Sequence, residues 1–195
     1  MSDRKREAII EAAVEEFRLN GFEATSMDRI ASAAEVSKRT VYNHFPSKDV
    51  LFAEILTQLY HRIHAQLTVP YRADRPLRDQ LEELLWQKMR LLNDSNFIDL
   101  ARVAISEAIH SPERAREMVG RMSEREEGLT VWIRAAVADG KLNIADPFFA
   151  ANQLQGLIKG FAFWPQISLS QPTLTPAMQK QVIDAAVEMF LRCYS

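Results

Sequence analysis

Cysteine is nearly absent from this chain: Cys193 is the single one in 195 residues. An intrachain disulfide framework is therefore excluded, and a reducing compartment is the expected setting. Glycine is scarce too, with six in all, and no stretch of alternating apolar and polar residues reads as a strand. No window approaches the roughly 18 apolar residues of a membrane-crossing helix. The opening MSDRKREAII has no apolar core of the kind a secretory leader needs. These absences predict a cytoplasmic chain with no membrane partner. An excess of one charge is also missing, since 24 Lys and Arg face 26 Asp and Glu for a net −2. Any argument for a nucleic-acid partner must then be local.

Chemistry is as sparse. There is no G-x-x-x-x-G-K-[ST] loop, no G-x-G-x-x-G and no G-x-S-x-G, and no pair of groups set for acid–base work. His61 and His64 lie three apart on one predicted helix, with His110 elsewhere. No cysteine or carboxylate cluster completes a site with them, so no metal, no cofactor and no enzymatic activity are expected.

What the sequence does hold is helical periodicity. Apolar residues make up 47% of the chain with charged ones at 26%, and they recur at three and four. An all-α fold is predicted. Ile9, Ala13 and Phe17 share one face of a helix over 4–19 that Gly21 closes. Ser26 caps a short helix over 27–34, Ser37 one over 38–45, and Ser47 a longer one over 48–67. Its apolar stripe is Leu51, Phe52, Ile55, Leu56 and Leu59. TVPYRADRP, 68–76, reads as a linker. Further helices are expected near 77–93, 97–110, 113–139, 147–164 and 176–194, with Gly140 closing the third, Pro147 and Pro176 opening the last two, and SLSQPTLTP as a loop.

The two short helices joined at AAEVS have the size of a helix-turn-helix. Ile30, Ala31, Val36, Val41 and Phe45 form the predicted inner face. Lys38, Arg39, Thr40, Tyr42, Asn43 and His44 are left outside, a set of donors and an aromatic suited to phosphates and base edges. The charges are unusual. Lys38 and Arg39 sit in one first turn and Lys48 in the next, where the helix dipole favours acids by roughly 0.3–1 kcal/mol per charge. From Val36 to Lys48 there is no acidic residue, although the chain has 26. A rule broken twice without internal gain points to an anion outside the chain. The first 50 residues carry eight basic against nine acidic side chains, so binding rests on placed contacts and is salt-dependent.

REAIIEAAVEEFRLNGFEATSMDRIASAAEVSKRTVYNHFPSKDVLFAEIL, residues 6–56, resembles the N-terminal domain of the TetR family of bacterial transcriptional regulators. The resemblance implies an all-α homodimer: a three-helix DNA-binding domain over 1–50, the helix over 48–67 as link, and a helical effector-binding and dimerisation domain over 51–195. It implies a repressor released from a palindromic operator in double-stranded DNA by a small molecule. Carried over by position, Thr25 and Ser26 would meet backbone phosphate. Lys38, Arg39, Thr40 and Asn43 would approach bases or phosphates in the major groove. Tyr42 and His44 would contact phosphate, and Lys48 would clamp it. DPFFAANQLQGLIKGFAFWPQI, 146–167, resembles an AefR-like subgroup of the family.

The second half is less specific. Trp86, Met89, Phe97, Met118, Met122, Trp132, Phe161, Phe163 and Trp164 suit an adaptable pocket for an apolar or aromatic effector. For each one the alternative is plain core. Ala150, Leu154, Leu157, Ile158 and Phe161 line one of the last two helices. Val182, Ile183, Ala186, Val187, Phe190 and Leu191 line the other. The resemblance places the dimer there, about 147–164 and 176–194, where Gly156 and Gly160 allow close approach; the alternative is internal packing within one subunit. The rival reading from another class is a helical small-molecule-binding or enzymatic protein whose N-terminal helices dock a partner protein.

Overall fold

The computed structural model describes residues 2–65, 69–111, 113, 116 and 128–195, and every described element is helix, turn or coil. By internal contact the chain divides into two compact units. One takes Met1–His61 and Asp99–Ser123, the other Arg62–Ile98 and Glu124–Ser195.

In the first unit, α1 (Ser2–Asn20), α2 (Met27–Ala33) and α3 (Lys38–His44) pack on one another, and α4 (Lys48–Ala65) begins. The expected stripes are where the core lies. Ile9, Ala13, Phe17, Ile30, Ala31, Val41 and Phe45 are buried, as are Leu51, Phe52, Ile55 and Leu59 of α4. Val36 and Leu56 are half-buried. Phe17, Phe22 and Phe52 form a three-way aromatic cluster, with centroids 5.2, 6.1 and 5.1 Å apart. Edge-on contacts of this kind add to plain area burial. Gly21 takes a φ of +79° at the end of α1, and its N–H donates to the Phe17 carbonyl at 2.9 Å. The serine caps are made as expected: Ser26 accepts from the Arg29 N–H, Ser37 from Thr40 and Ser47 from Val50.

The turn between α2 and α3 holds a residue out of character. Glu35 has a φ of +52°, and the Val36 N–H closes back onto the Ala31 carbonyl at 3.0 Å. A side chain with a Cβ is strained in that left-handed region, where glycine is not. Glu35→Gly is expected to stabilise the chain by about 0.5–1 kcal/mol after the added unfolded-state entropy of glycine. The urea midpoint checks this, and a midpoint that falls refutes it.

The second unit holds α5 (Leu77–Leu92), the first turn of α6 (Ser95–His110), α7 (Gly128–Ala138), α8 (Pro147–Ala162), α9 (Trp164–Leu169) and α10 (Pro176–Tyr194). α8 is central and packs on α5, α7, α9 and α10. Asp94 starts α6 by accepting from the N–H groups of Asn96 and Phe97. Of the predicted helix over 113–139, Gly128–Ala138 is present, while 114, 115 and 117–127 lie outside the described residues. Gly140 closes α7 with a φ of +69°.

The helix expected over 147–164 stops at Ala162 and a short new one starts at Trp164. Pro165 explains the break, because it brings no N–H for the Phe161 carbonyl four residues back. The buried Gln166 side chain supplies the missing donor, reaching that carbonyl at 3.2 Å and the Pro172 carbonyl at 3.2 Å.

TVPYRADRP behaves less like a linker than its composition suggests. Tyr71 stacks edge-on against Trp132 at 5.6 Å and donates its hydroxyl to Asp139 at 2.6 Å. Desolvation first, and then that hydrogen bond, push the Tyr71 hydroxyl up to about 12. Gln80 is fully buried. Its amide N–H₂ donates to the carbonyls of Arg72 and Arg75 at 2.8 and 3.0 Å. Its oxygen accepts from the Arg72 N–H at 2.8 Å and the Trp132 indole N–H at 3.3 Å. One amide thus ties the 72–76 loop to α5 and α7.

Candidate nucleic-acid interface

α3 is seven residues long and its two sides differ sharply. Val41 is buried within it, and Phe45 just beyond is buried as well. Lys38, Arg39, Tyr42 and Asn43 are exposed, with Thr40 and His44 half-buried beside them. Six of the nine expected DNA-contacting residues therefore share one helix, as their spacing requires. The Thr40 hydroxyl pairs with Ser37 Oγ at 2.8 Å, which fixes its rotamer. Tyr42 is 49% exposed, an aromatic left in water by a helix that had an apolar side to use. From behind, Arg6 holds the scaffold through Glu54 at 2.7 Å and lies over the Phe45 ring at 5.3 Å.

Three expectations change. Thr25 is buried, and its hydroxyl donates to the carbonyls of Gly21 at 2.8 Å and Glu16 at 3.1 Å. Its side chain closes the α1–α2 turn and does not reach an outer face. Lys48 is turned inward as well. Its ammonium donates to the carbonyls of Phe22, Glu23 and Thr25 at 2.6, 3.2 and 3.1 Å, and it lies 4.3 Å from the centre of the Phe22 ring. An ammonium has three donors and no more, so these carbonyls satisfy the group expected to clamp phosphate. Lys38 also has a partner: its Nζ sits 2.5 Å from Asp28 Oδ2. The argument that all three cations lack internal gain therefore fails for Lys38 and Lys48. It stands for Arg39, which has no such partner among the described residues. Sequence reasoning missed Asp28 because its partner lies ten positions away, beyond the three- and four-residue spacings that reveal pairs within a helix. Ser26 is exposed at the start of α2, with its oxygen engaged as the cap.

Of the residues expected to wall a pocket, Phe97, Phe163 and Trp164 meet in series, with ring centroids 6.4 and 5.1 Å apart, and the others differ in exposure. Met89 and Trp132 are buried, Trp86 is half-buried, and Phe161 and Trp164 are exposed by 58% and 50%. Met118 and Met122 lie outside the described residues. Phe161 falls off the inward stripe of α8, which runs through Ala151, Gln155, Ile158 and Ala162. The indole N–H of Trp132 is committed to Gln80, so the ring is held as framework. Among the described residues no three of His, Cys, Asp and Glu gather as a metal cage, and no described helix is long and apolar enough to cross a membrane.

Known proteins of the same build place this arrangement. The family model described as bacterial regulatory proteins, tetR family, matches residues 9–55, and the one described as AefR-like transcriptional repressor, C-terminal domain, matches 79–195. A crystal structure of a TetR family transcriptional regulator from Pseudomonas syringae pv. tomato is 53% identical, covers 100% of this chain and 98% of that one, and superposes with a TM-score of 0.87. The flavonoid-responsive regulator FrrA is 30% identical over 99% of this chain and 98% of its own, with a TM-score of 0.71. The HTH-type transcriptional regulator YhgD of Bacillus subtilis is 30% identical over 123 residues, a match that spans 59% of this chain and 64% of that relative. The three-helix head thus matches that of DNA-binding transcriptional regulators, and the chain belongs to the TetR family, with a C-terminal half of the AefR-like kind.

Proposed function

We propose that this protein is a ligand-responsive repressor, a cytoplasmic homodimer that occupies a palindromic operator until a small apolar or aromatic molecule releases it. Residues 1–50 form the DNA-reading domain, and 51–195 take the effector and pair the subunits, with α4 as the link. The observation that carries this reading is the outer face of α3, where Lys38, Arg39, Tyr42 and Asn43 stand exposed on a helix whose other side is buried. Arg39, Asn43 and Thr40 approach base edges, and Lys38, Tyr42, His44 and Ser26 meet phosphate. Thr25 and Lys48 support them from inside. A two-fold dimer sets two such helices about 34 Å apart, one turn of duplex.

Subunit pairing is assigned to α8 and α10. Phe148, Phe149, Met178 and Met189 are exposed large apolar residues on these helices. Gly156 and Gly160 are exposed, and a Cβ built on either meets nothing within 4 Å. Large apolar side chains left exposed on these two helices support a contact site there. An aromatic or apolar effector is supported by the large side chains of the C-terminal half and by likeness to FrrA, which is flavonoid-responsive by name.

The test is fluorescence anisotropy with a labelled duplex from the upstream region of the gene, at two salt concentrations and against a scrambled competitor. Specific binding at two chains per duplex is expected, weakening as salt rises. An effector then lowers affinity roughly 5–150-fold. Equal weak binding to both duplexes, and to every duplex drawn from a random-sequence selection, sinks the proposal.

A further inference from the structure

We propose that Asp28 is an internal competitor of DNA for Lys38, and that it sets the affinity of the reading head below what its cations alone would give. The inference rests on the DNA-binding reading above and adds a residue to it. Lys38 is the first residue of α3 and Asp28 lies in the first turn of α2. Their charged atoms are 2.5 Å apart, with the side chains 67% and 54% exposed.

Three points decide what such a contact does. It is not framework, because a pair this open to water holds a fold only weakly, and the two helices already meet through buried Ile30, Ala31 and Val41. It lies on the DNA-facing side, because one partner is on the same outer surface as Arg39, Tyr42 and Asn43. It also neutralises a cation where few are available: Lys48 is satisfied by three backbone carbonyls, and the first 50 residues carry eight basic side chains against nine acidic. A phosphate reaching Lys38 must displace a carboxylate already in contact, and that carboxylate stays close enough to repel it. The exchange gives back part of what counterion release supplies.

The experiment is a double-mutant cycle on Asp28 and Lys38, read by duplex binding across a salt series. The probe is a duplex selected from a random pool by the unmodified chain. Asp28→Asn should bind it about 3–10-fold more tightly, with the slope of log K against log salt steeper by up to about 0.9, one further phosphate contact. In a Lys38→Met background the same change should give a much smaller gain, the part due to direct repulsion, since no cation is left to release. Asp28→Ser is the second neutral variant, and thermal melts confirm that each one folds.

Two results overturn the proposal. An equal gain with and without Lys38 would make Asp28 a bare repulsive charge. Weaker binding by Asp28→Asn would make it a residue that aims Lys38 at the DNA. Failure of the unmodified chain to select any duplex is a different result, and it would remove the DNA-binding reading along with this inference.

Discussion

Replacing Gln80 by leucine is expected to lower stability by about 3 kcal/mol, although leucine nearly matches the volume and the site is fully buried. Four backbone or indole groups lose the Gln80 amide at once: the carbonyls of Arg72 and Arg75, the Arg72 N–H and the Trp132 N–H, although the Arg72 carbonyl keeps the Arg75 N–H at 3.3 Å. A buried polar group left unpaired costs about 1–3 kcal/mol, and the open side of the 72–76 loop lets water recover part of the total. For a chain of this length each kcal/mol moves the melting point by roughly 2–4 °C, so a fall near 6–12 °C is the expected reading in a thermal melt. Near-UV circular dichroism should show the Trp132 environment loosening with it. A melting point within a degree or two of the unmodified chain would mean that the hub is ornamental, and Trp132 would then be open again as a pocket residue.

The second large effect is at Lys48. Lys48→Met keeps the length and the contact with Phe22 but removes the ammonium shared by three carbonyls. Hydrogen bonds to charged groups contribute about 1.5–3 kcal/mol each, and part of that returns when water reaches the turn. A loss of about 2–3 kcal/mol is expected, measured by urea unfolding. Duplex binding should weaken with it, because the turn that Lys48 holds leads directly into the cap of α2. The salt slope is the sharper discriminator. If the tether is its whole role, the slope stays unchanged. If Lys48 leaves the turn to clamp phosphate, stability barely moves and the slope falls by about 0.9.

These two residues mark where the sequence was hard to read. The elements themselves were legible because their signals are local. Serines stand before apolar-periodic runs, glycines close α1 and α7, and prolines open α8 and α10. The inner face of the helix-turn-helix could be named for the same reason, since four-residue spacing on a short helix leaves few alternatives. Lys48, Asp28 and Gln80 were opaque because their partners are set by tertiary structure. Lys48 finds carbonyls more than twenty residues away, and backbone carbonyls have no letter in a sequence. Gln80 reads as a surface amide until the loop folds over it. Phe161 shows the opposite limit: its apolar character was plain, but periodicity alone did not say which of two apolar sides of α8 faces inward. The break at Phe163 was within reach, since Pro165 is visible in FAFWPQI, whereas the compensating role of Gln166 was not.

Glu35 has a consequence outside energetics. Glutamate codons and two of the glycine codons differ only in their middle base, so the relaxed residue for that turn is a single nucleotide change away. Random mutagenesis followed by a heat challenge should recover that change in its first round. If recovered clones still bind their selected duplex normally, the left-handed glutamate is a tolerated accident of ancestry. If they bind it poorly, the acid at the corner of the reading head is being kept for the sake of what it does to DNA, at the expense of how firmly the head is built.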